Sequence, residues 1–285
     1  MQINREWKDY TVIATGDGQK LEKWGNYILL RPDPQIIWPS IGDLRDYNGL
    51  SAVYERSDTG GGHWELIKNV PDSFVVGWRD LKFKLKLMGF KHTGLFPEQA
   101  VNWAKMIDLI KSAKRPINVL NLFAYTGGAT VACLSAGASV CHVDSAKAMV
   151  ERASDNVRLS GLENASVRYI IDDCLKFVRR EIKRGKKYDA IIMDPPSFGR
   201  GVNGEVWKLE DNLFGLVRET AELLSDNPLF YLINSYTTGL QPTVISNILR
   251  LGLDTSANID ADEIGLPTEE DGIILPAGAS AMAIF

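Results

Sequence analysis

Beyond about residue 97, short apolar runs alternate with longer stretches whose apolar residues recur every three or four positions. The runs read as buried strands and the stretches as amphipathic helices. The predicted order is helix 98–113, strand 119–123, helix 129–136, strand 139–143, helix 146–159, strand 166–171 and helix 174–183. Strand 188–193, helix 210–224, strand 228–233 and helix 242–251 follow, then two final strands near 256–260 and 273–285. Such alternation predicts an α/β fold, a Rossmann-like parallel sheet with helices on both faces and the last two strands as an edge hairpin.

The pattern before residue 90 is different. Short β-prone runs at 10–14, 27–30, 52–54, 64–67 and 73–78 are separated by Gly16-Asp17-Gly18, Arg31-Pro32-Asp33-Pro34 and Thr59-Gly60-Gly61-Gly62. The expected division is therefore a small β-rich domain over 1–90, with substrate or RNA binding as its expected use, and an α/β domain over 91–285. Trp7, Trp24, Trp38, Trp64 and Trp78 fall in the first part, where core packing is a commoner use of the ring than base stacking. Residues 81–87 alternate strictly, with Lys82, Lys84 and Lys86 against Leu81, Phe83, Leu85 and Leu87. As a strand this segment presents its lysines on one face, and Arg79 and Lys91 extend them into a basic ridge. A ridge of this kind either blocks edge pairing or follows a phosphate backbone.

Composition changes this picture little. The 285 residues are 45% hydrophobic and 24% charged, and a net charge of −4 excludes a strongly basic nucleic-acid binder. The charge is uneven: +3 over residues 1–115 and −7 over the rest. The three cysteines, Cys133, Cys141 and Cys174, have neither metal-ligand nor disulfide-framework spacing, so no metal is expected and reduced thiols in the cytoplasm are. No run is long enough to span a membrane, and the N-terminal residues lack the apolar core of a signal peptide.

The candidate chemistry sits at the carboxyl ends of the predicted strands, where sheets of this kind hold ligands. Strand 119–123 runs into Ala124-Tyr125-Thr126-Gly127-Gly128, a glycine turn that lets backbone approach a ligand closely. The next strand ends in Asp144, placed to accept from two ribose hydroxyls. The G-x-G-x-x-G spacing that seats a pyrophosphate is missing, so an adenosine ligand without phosphates fits better, S-adenosylmethionine being the common one. Asp172 and Asp173 end the third strand; Asp172 suits the adenine amino group, and Asp173 suits a helix cap. The fourth strand ends in Asp194-Pro195-Pro196-Ser197-Phe198, a stiff turn offering a carboxylate, exposed carbonyls and an aromatic ring to a planar base with an amino group.

Taken together, NLFAYTGG, the following Val143-Asp144, then Asp172-Asp173 and DPPSF resemble the class I S-adenosylmethionine-dependent methyltransferases. The resemblance is closest to the branch that methylates bases of large-subunit ribosomal RNA. His92-Thr93-Gly94-Leu95-Phe96-Pro97-Glu98-Gln99 is similar to that branch's K-T-G-F-F-x-D-Q, and Leu275 to Ser280 to a motif near the C-terminus of related proteins. It implies cofactor contacts from Phe96, Gln99, Asn121, Phe123, Tyr125 and Thr126. The same set continues through Gly127, Gly128, Asp144, Ser145, Asp172, Asp173 and Asp194. It also implies a catalytic turn of Asp194, Pro195, Pro196 and Phe198, and RNA as partner.

The chain departs from the family at His92, where lysine is usual, and at Ala100, where an arginine often follows the glutamine. The members that methylate C5 of cytosine carry a cysteine after the fifth strand, since carbon methylation of a pyrimidine needs a thiolate to add to the ring. Here that place reads Asn234-Ser235-Tyr236, and no cysteine follows Cys174. The expectation is transfer to a base nitrogen. A methyltransferase for a small molecule or a protein side chain, and an inert RNA-binding assembly factor with the same fold, are the competing readings. The oligomeric state is not legible.

Overall fold

The computed structural model describes every residue except 58–60, 90, 201–205 and 254–255. The turn expected at Thr59 and Gly60, and Phe90 at the head of the joining segment, lie outside the described residues. The chain divides into two compact units: Met1–Gln2 with Val101–Ile264 and Ala277–Phe285, and Ile3–Ala100 with Gly265–Pro276.

After β1 (Gln2–Ile3), the N-terminal unit forms a five-stranded sheet. Its strands are β2 (Tyr10–Gly16), β3 (Gln19–Trp24), β4 (Tyr27–Pro32), β5 (Leu50–Arg56) and β6 (Gly62–Leu66), in that order. A separate antiparallel ribbon pairs β7 (Phe74–Trp78) with β8 (Leu81–Leu85). Strand β3 is absent from the expected set because its QKLEKW looks solvated. Its Glu22 is in fact fully buried, taking Arg31 Nε at 2.6 Å, Arg31 Nη2 at 2.8 Å and the Tyr10 hydroxyl at 2.7 Å. Burial works to raise this carboxyl, but Arg31 and Lys20 outweigh it and hold it at about 2. The tryptophans build the interior of this unit. Trp24 and Trp78 are fully buried, while the indoles of Trp7, Trp38 and Trp64 donate to Pro97 O, Thr15 Oγ1 and Met88 O.

The alternation on β8 holds, with Leu81, Phe83 and Leu85 buried and Lys82 exposed, though the strand stops at Leu85, two residues before the expected end. The basic ridge is narrower than expected. Arg79 grips Glu6 with two hydrogen bonds of 3.0 and 2.7 Å and lies over the Trp78 ring, and Lys91 is half-buried. Of the expected ridge, Lys82 and Lys86 are exposed and Lys84 is partly buried.

The second unit begins with α1 (Ala100–Ala113) and continues through β9 (Asn118–Leu122), α2 (Gly128–Ser135), β10 (Ser139–Asp144), α3 (Lys147–Leu159) and β11 (Val167–Ile171). Next come α4 (Cys174–Lys183), β12 (Ala190–Met193), the short strands β13 (Phe198–Arg200) and β14 (Val206–Lys208), and α5 (Leu209–Ala221). The last elements are β15 (Phe230–Ser235), α6 (Pro242–Gly252), β16 (Asn258–Pro267) and β17 (Ile274–Ile284). The eight-stranded sheet runs β1-β16-β17-β15-β12-β9-β10-β11. The five strands from β15 to β11 are parallel, and β17 is antiparallel to β15. Successive strands diverge at β9, which has β10 on one side and β12 on the other; a crevice opens at the carboxyl ends beside such a switch point.

Alternate residues of the parallel strands serve the two faces. Leu120, Leu122, Ile191, Met193, Tyr231 and Ile233 pack with Phe177 of α4, Leu213 of α5 and Leu249 of α6. The intervening Asn121 and His142 face α2, where Thr130 meets both. The antiparallel β13–β14 pair, missed in the sequence, has three residues per strand, too few to show a period. Among the described residues no helix is long and apolar enough to cross a membrane.

Candidate active site

The register of the sheet brings the candidate tips into one row. Met193 pairs with Leu122, Leu122 with Val143, and Asp144 with Ile171. Asp194, Phe123 and Asp144 therefore stand side by side on adjacent strands, with Asp172 just beyond Ile171. At about 4.8 Å per strand, Asp194 and Asp144 lie about 10 Å apart, enough for a nucleoside between them.

Between those tips runs a tightly folded loop. Phe123, Tyr125 and Gly127 all have positive φ, at 54°, 49° and 82°, a conformation that non-glycine residues adopt only when their surroundings enforce it. The enforcement is visible. Ala124 N donates to Val143 O, Tyr125 N to Asp144 Oδ2, and Asn156 Nδ2 of α3 to Thr126 O. The two glycines have a reason the sequence did not reveal. A Cβ on Gly127 would stand 2.8 Å from Ala153 Cβ, and one on Gly128 would stand 2.5 Å from Trp103 Cζ2. Packing inside the chain already requires both, before any ligand is considered.

Asn121 lies beneath the loop, 3% exposed, with its amide donating to Thr130 Oγ1 at 3.0 Å. Thr130 Oγ1 also meets His142 Nδ1 at 2.9 Å. Burial lowers His142 to about 4, so this imidazole is neutral at pH 7.

Among the described residues Asp144 is held by backbone alone, its two oxygens accepting from Tyr125 N and Ala146 N at 2.8 Å each. Ser145 beside it is exposed. Asp172 pairs with Arg180 and also accepts from Asp173 N. Asp173 caps α4, its side chain accepting from Lys176 N at 2.9 Å. Ile171 is 52% exposed at this edge, a strand-end apolar surface overlooked in the run of acidic neighbours.

The turn after β12 is held differently. Asp194 Oδ1 accepts from Asn234 Nδ2 at 3.1 Å, Pro196 O from the Trp207 indole at 2.7 Å, and Ser197 O from Leu209 N at 3.0 Å. Ser197 Oγ accepts from the Thr237 hydroxyl at 2.6 Å. The Pro195 carbonyl has no hydrogen-bond partner among the described residues. Trp207 was missed; its ring lies 6.1 Å from Phe123, so the Pro196 carbonyl is bonded and the turn gains an aromatic wall. Phe198 is 54% exposed. Phe96 and Gln99 belong to the N-terminal unit, around a 3₁₀ turn Pro97–Gln99 whose Pro97 carbonyl holds Trp7. Cys133, Cys141 and Cys174 are buried, which pushes their thiols up to about 12, 11 and 12.

Comparison with known proteins agrees with this geometry. The chain is 36% identical over 148 residues to ribosomal RNA large subunit methyltransferase K/L of Shewanella frigidimarina, covering 51% of this chain and 20% of that protein. It is 31% identical over 165 residues to ribosomal RNA large subunit methyltransferase I of Aeromonas salmonicida, covering 54% of this chain and 41% of that one. The chain thus spans less than half the length of these relatives. A solved structure, the SAM-dependent methyltransferase of Agrobacterium tumefaciens, superposes with a TM-score of 0.92 at 31% identity, over 99% of this chain and 92% of that one. The family model described as S-adenosylmethionine-dependent methyltransferase matches residues 60–242, and the chain belongs to that family.

Proposed function

We propose that this enzyme methylates a nitrogen of an RNA base, and that the RNA is that of the large ribosomal subunit, the RNA named for its relatives. The observation that carries the reading is the acceptor pair at the tip of β12, the Asp194 carboxylate beside the Pro195 carbonyl, which has no hydrogen-bond partner among the described residues. Two acceptors on a rigid turn suit an amino group. They take its N–H bonds and leave the nitrogen lone pair aimed along a fixed line. Phe198 and Trp207 would flank the flat ring.

Asp144 would hold the cofactor's ribose. Each of its oxygens keeps a lone pair after accepting one backbone N–H, which matches two hydroxyl donors. Asp172, Ile171 and the loop Phe123 to Gly128 would form the adenosine side. When bound, S-adenosylmethionine supplies an electrophilic methyl group on its sulfonium. Asp194 would hold the proton that the acceptor nitrogen gives up in exchange for that methyl group. Lys82, Lys84 and Lys86 of the N-terminal unit would meet RNA phosphates.

The thiols support nitrogen over carbon as the acceptor. Buried and raised to about 11 or 12, none is a ready thiolate, and a carbon acceptor would require one. The test uses RNA containing 5-fluorocytidine together with the Cys133→Ala, Cys141→Ala and Cys174→Ala variants. Methyl transfer with no covalent adduct, kept by each variant that folds, is the expected result. A trapped adduct that disappears in one variant would establish the C5 chemistry instead.

A further inference from the structure

Asn234 has an arrangement that packing does not account for. It sits on β15, 1% exposed, level with Ser280 of β17 and one residue beyond the Ile233–Met193 pair. Its amide nitrogen donates to Asp194 Oδ1 at 3.1 Å, while its amide oxygen is buried without a partner among the described residues. Rotating the amide would not relieve this, because it would set oxygen against a carboxylate that only accepts. The nearby hydroxyls are engaged elsewhere: Ser280 Oγ donates to Asn102 Oδ1 at 3.0 Å, and Ser235 Oγ accepts from Thr237 N at 3.1 Å. Buried acceptors left unsatisfied destabilise a fold, and an apolar side chain here would remove this one, while the half-buried Asp194 carboxylate that loses its donor would still reach water.

We infer that Asn234 is a positioning residue for methyl transfer, kept at some cost in stability because its amide fixes the orientation of the Asp194 carboxylate. The inference rests on Asp194 being the group that meets the acceptor. Losing the hydrogen bond removes one of the contacts that orient the carboxylate, so the acceptor nitrogen is aimed less often, while the backbone hydrogen bonds to Asp144 are unchanged.

Two substitutions separate this from a structural role. Asn234→Leu matches the volume and removes the donor. Asn234→Asp also matches the shape but sets a carboxylate against Asp194, and such a pair shares one proton as pH falls, restoring a donor. Methyl transfer from labelled S-adenosylmethionine is measured into an extract of cells lacking the protein, with total label and label in RNA counted separately. Asn234→Leu should lower kcat about ten- to a hundredfold at every pH, with S-adenosylmethionine affinity within about twofold of the parent and an unchanged or higher Tm. Asn234→Asp should be as impaired at pH 8 and regain activity relative to the parent toward pH 6. Parent-like kcat in Asn234→Leu, a clear fall in its Tm, or absence of recovery in Asn234→Asp would overturn the inference. Parent label found outside RNA would instead overturn the RNA reading and leave the comparison of variants intact.

Discussion

The two acidic strand tips, Asp144 and Asp194, stand two strands apart in one row and are built on opposite principles. Asp144 is held by the peptide backbone, through Tyr125 N and Ala146 N, so almost any neighbouring side chain would serve it. Asp194 is held by side chains from distant parts of the sequence, with Asn234 on its carboxylate and Trp207 on the turn behind it. On the proposed reading, the cofactor end is held by backbone and the acceptor end by side chains, which substitution can retune.

The largest effect expected from breaking this contrast is in Asp194→Ala. Loss of an aligning group at the reacting centre should lower kcat by about 10²–10³-fold, read by steady-state methyl transfer, with cofactor affinity preserved. Asp144→Ala should act on the other end. It removes an ionic acceptor worth about 1.5–3 kcal/mol, so calorimetry should show S-adenosylmethionine binding weakened more than tenfold. It also releases two backbone N–H groups, so the free protein should melt earlier. Equal affinity in parent and variant would remove Asp144 from the cofactor site.

Beneath the backbone-built end, His142 predicts a pH effect. Its folded value of about 4 lies below the ordinary 6.5, so between those pH values the unfolded chain binds the proton and the folded chain does not. Stability should therefore fall as pH drops, by about 2 kcal/mol between pH 7 and 5 for this one group. Urea titrations of the parent and His142→Asn should diverge in their pH slopes; parallel slopes would mean that the imidazole is protonated in the fold. The smallest effect concerns substrate binding. Changing Lys82, Lys84 and Lys86 to Gln should reduce the salt slope of RNA binding by about 2, at roughly 0.7 per phosphate contact. Cofactor affinity should not change, and an unaltered slope would show that phosphates do not follow this strand.

What the sequence made legible follows from the range of the interactions. Strands β9, β10, β12 and β15 are mostly apolar because both faces of each are covered, so the α/β order was readable. Strand β3 was not, since an internal ion pair between Glu22 and Arg31 has the same letters as a solvated face. The acidic tips could be found because each carboxylate ends its strand or directly follows it. The reason for Gly127 and Gly128 could not, since their neighbours Ala153 and Trp103 are 25 or more residues away. Asn234 could be seen as the place where a cysteine is missing. Its hold on Asp194, 40 residues earlier, is a product of strand pairing.

The most direct measurement is a comparison of methylated nucleosides in large-subunit ribosomal RNA from cells with and without this protein, by mass spectrometry of the digested RNA. One N-methylated base should disappear in its absence and return with the parent gene but not with the Asp194→Ala form. An unchanged nucleoside profile, or the loss of a C5-methylated or ribose-methylated nucleoside, would contradict it.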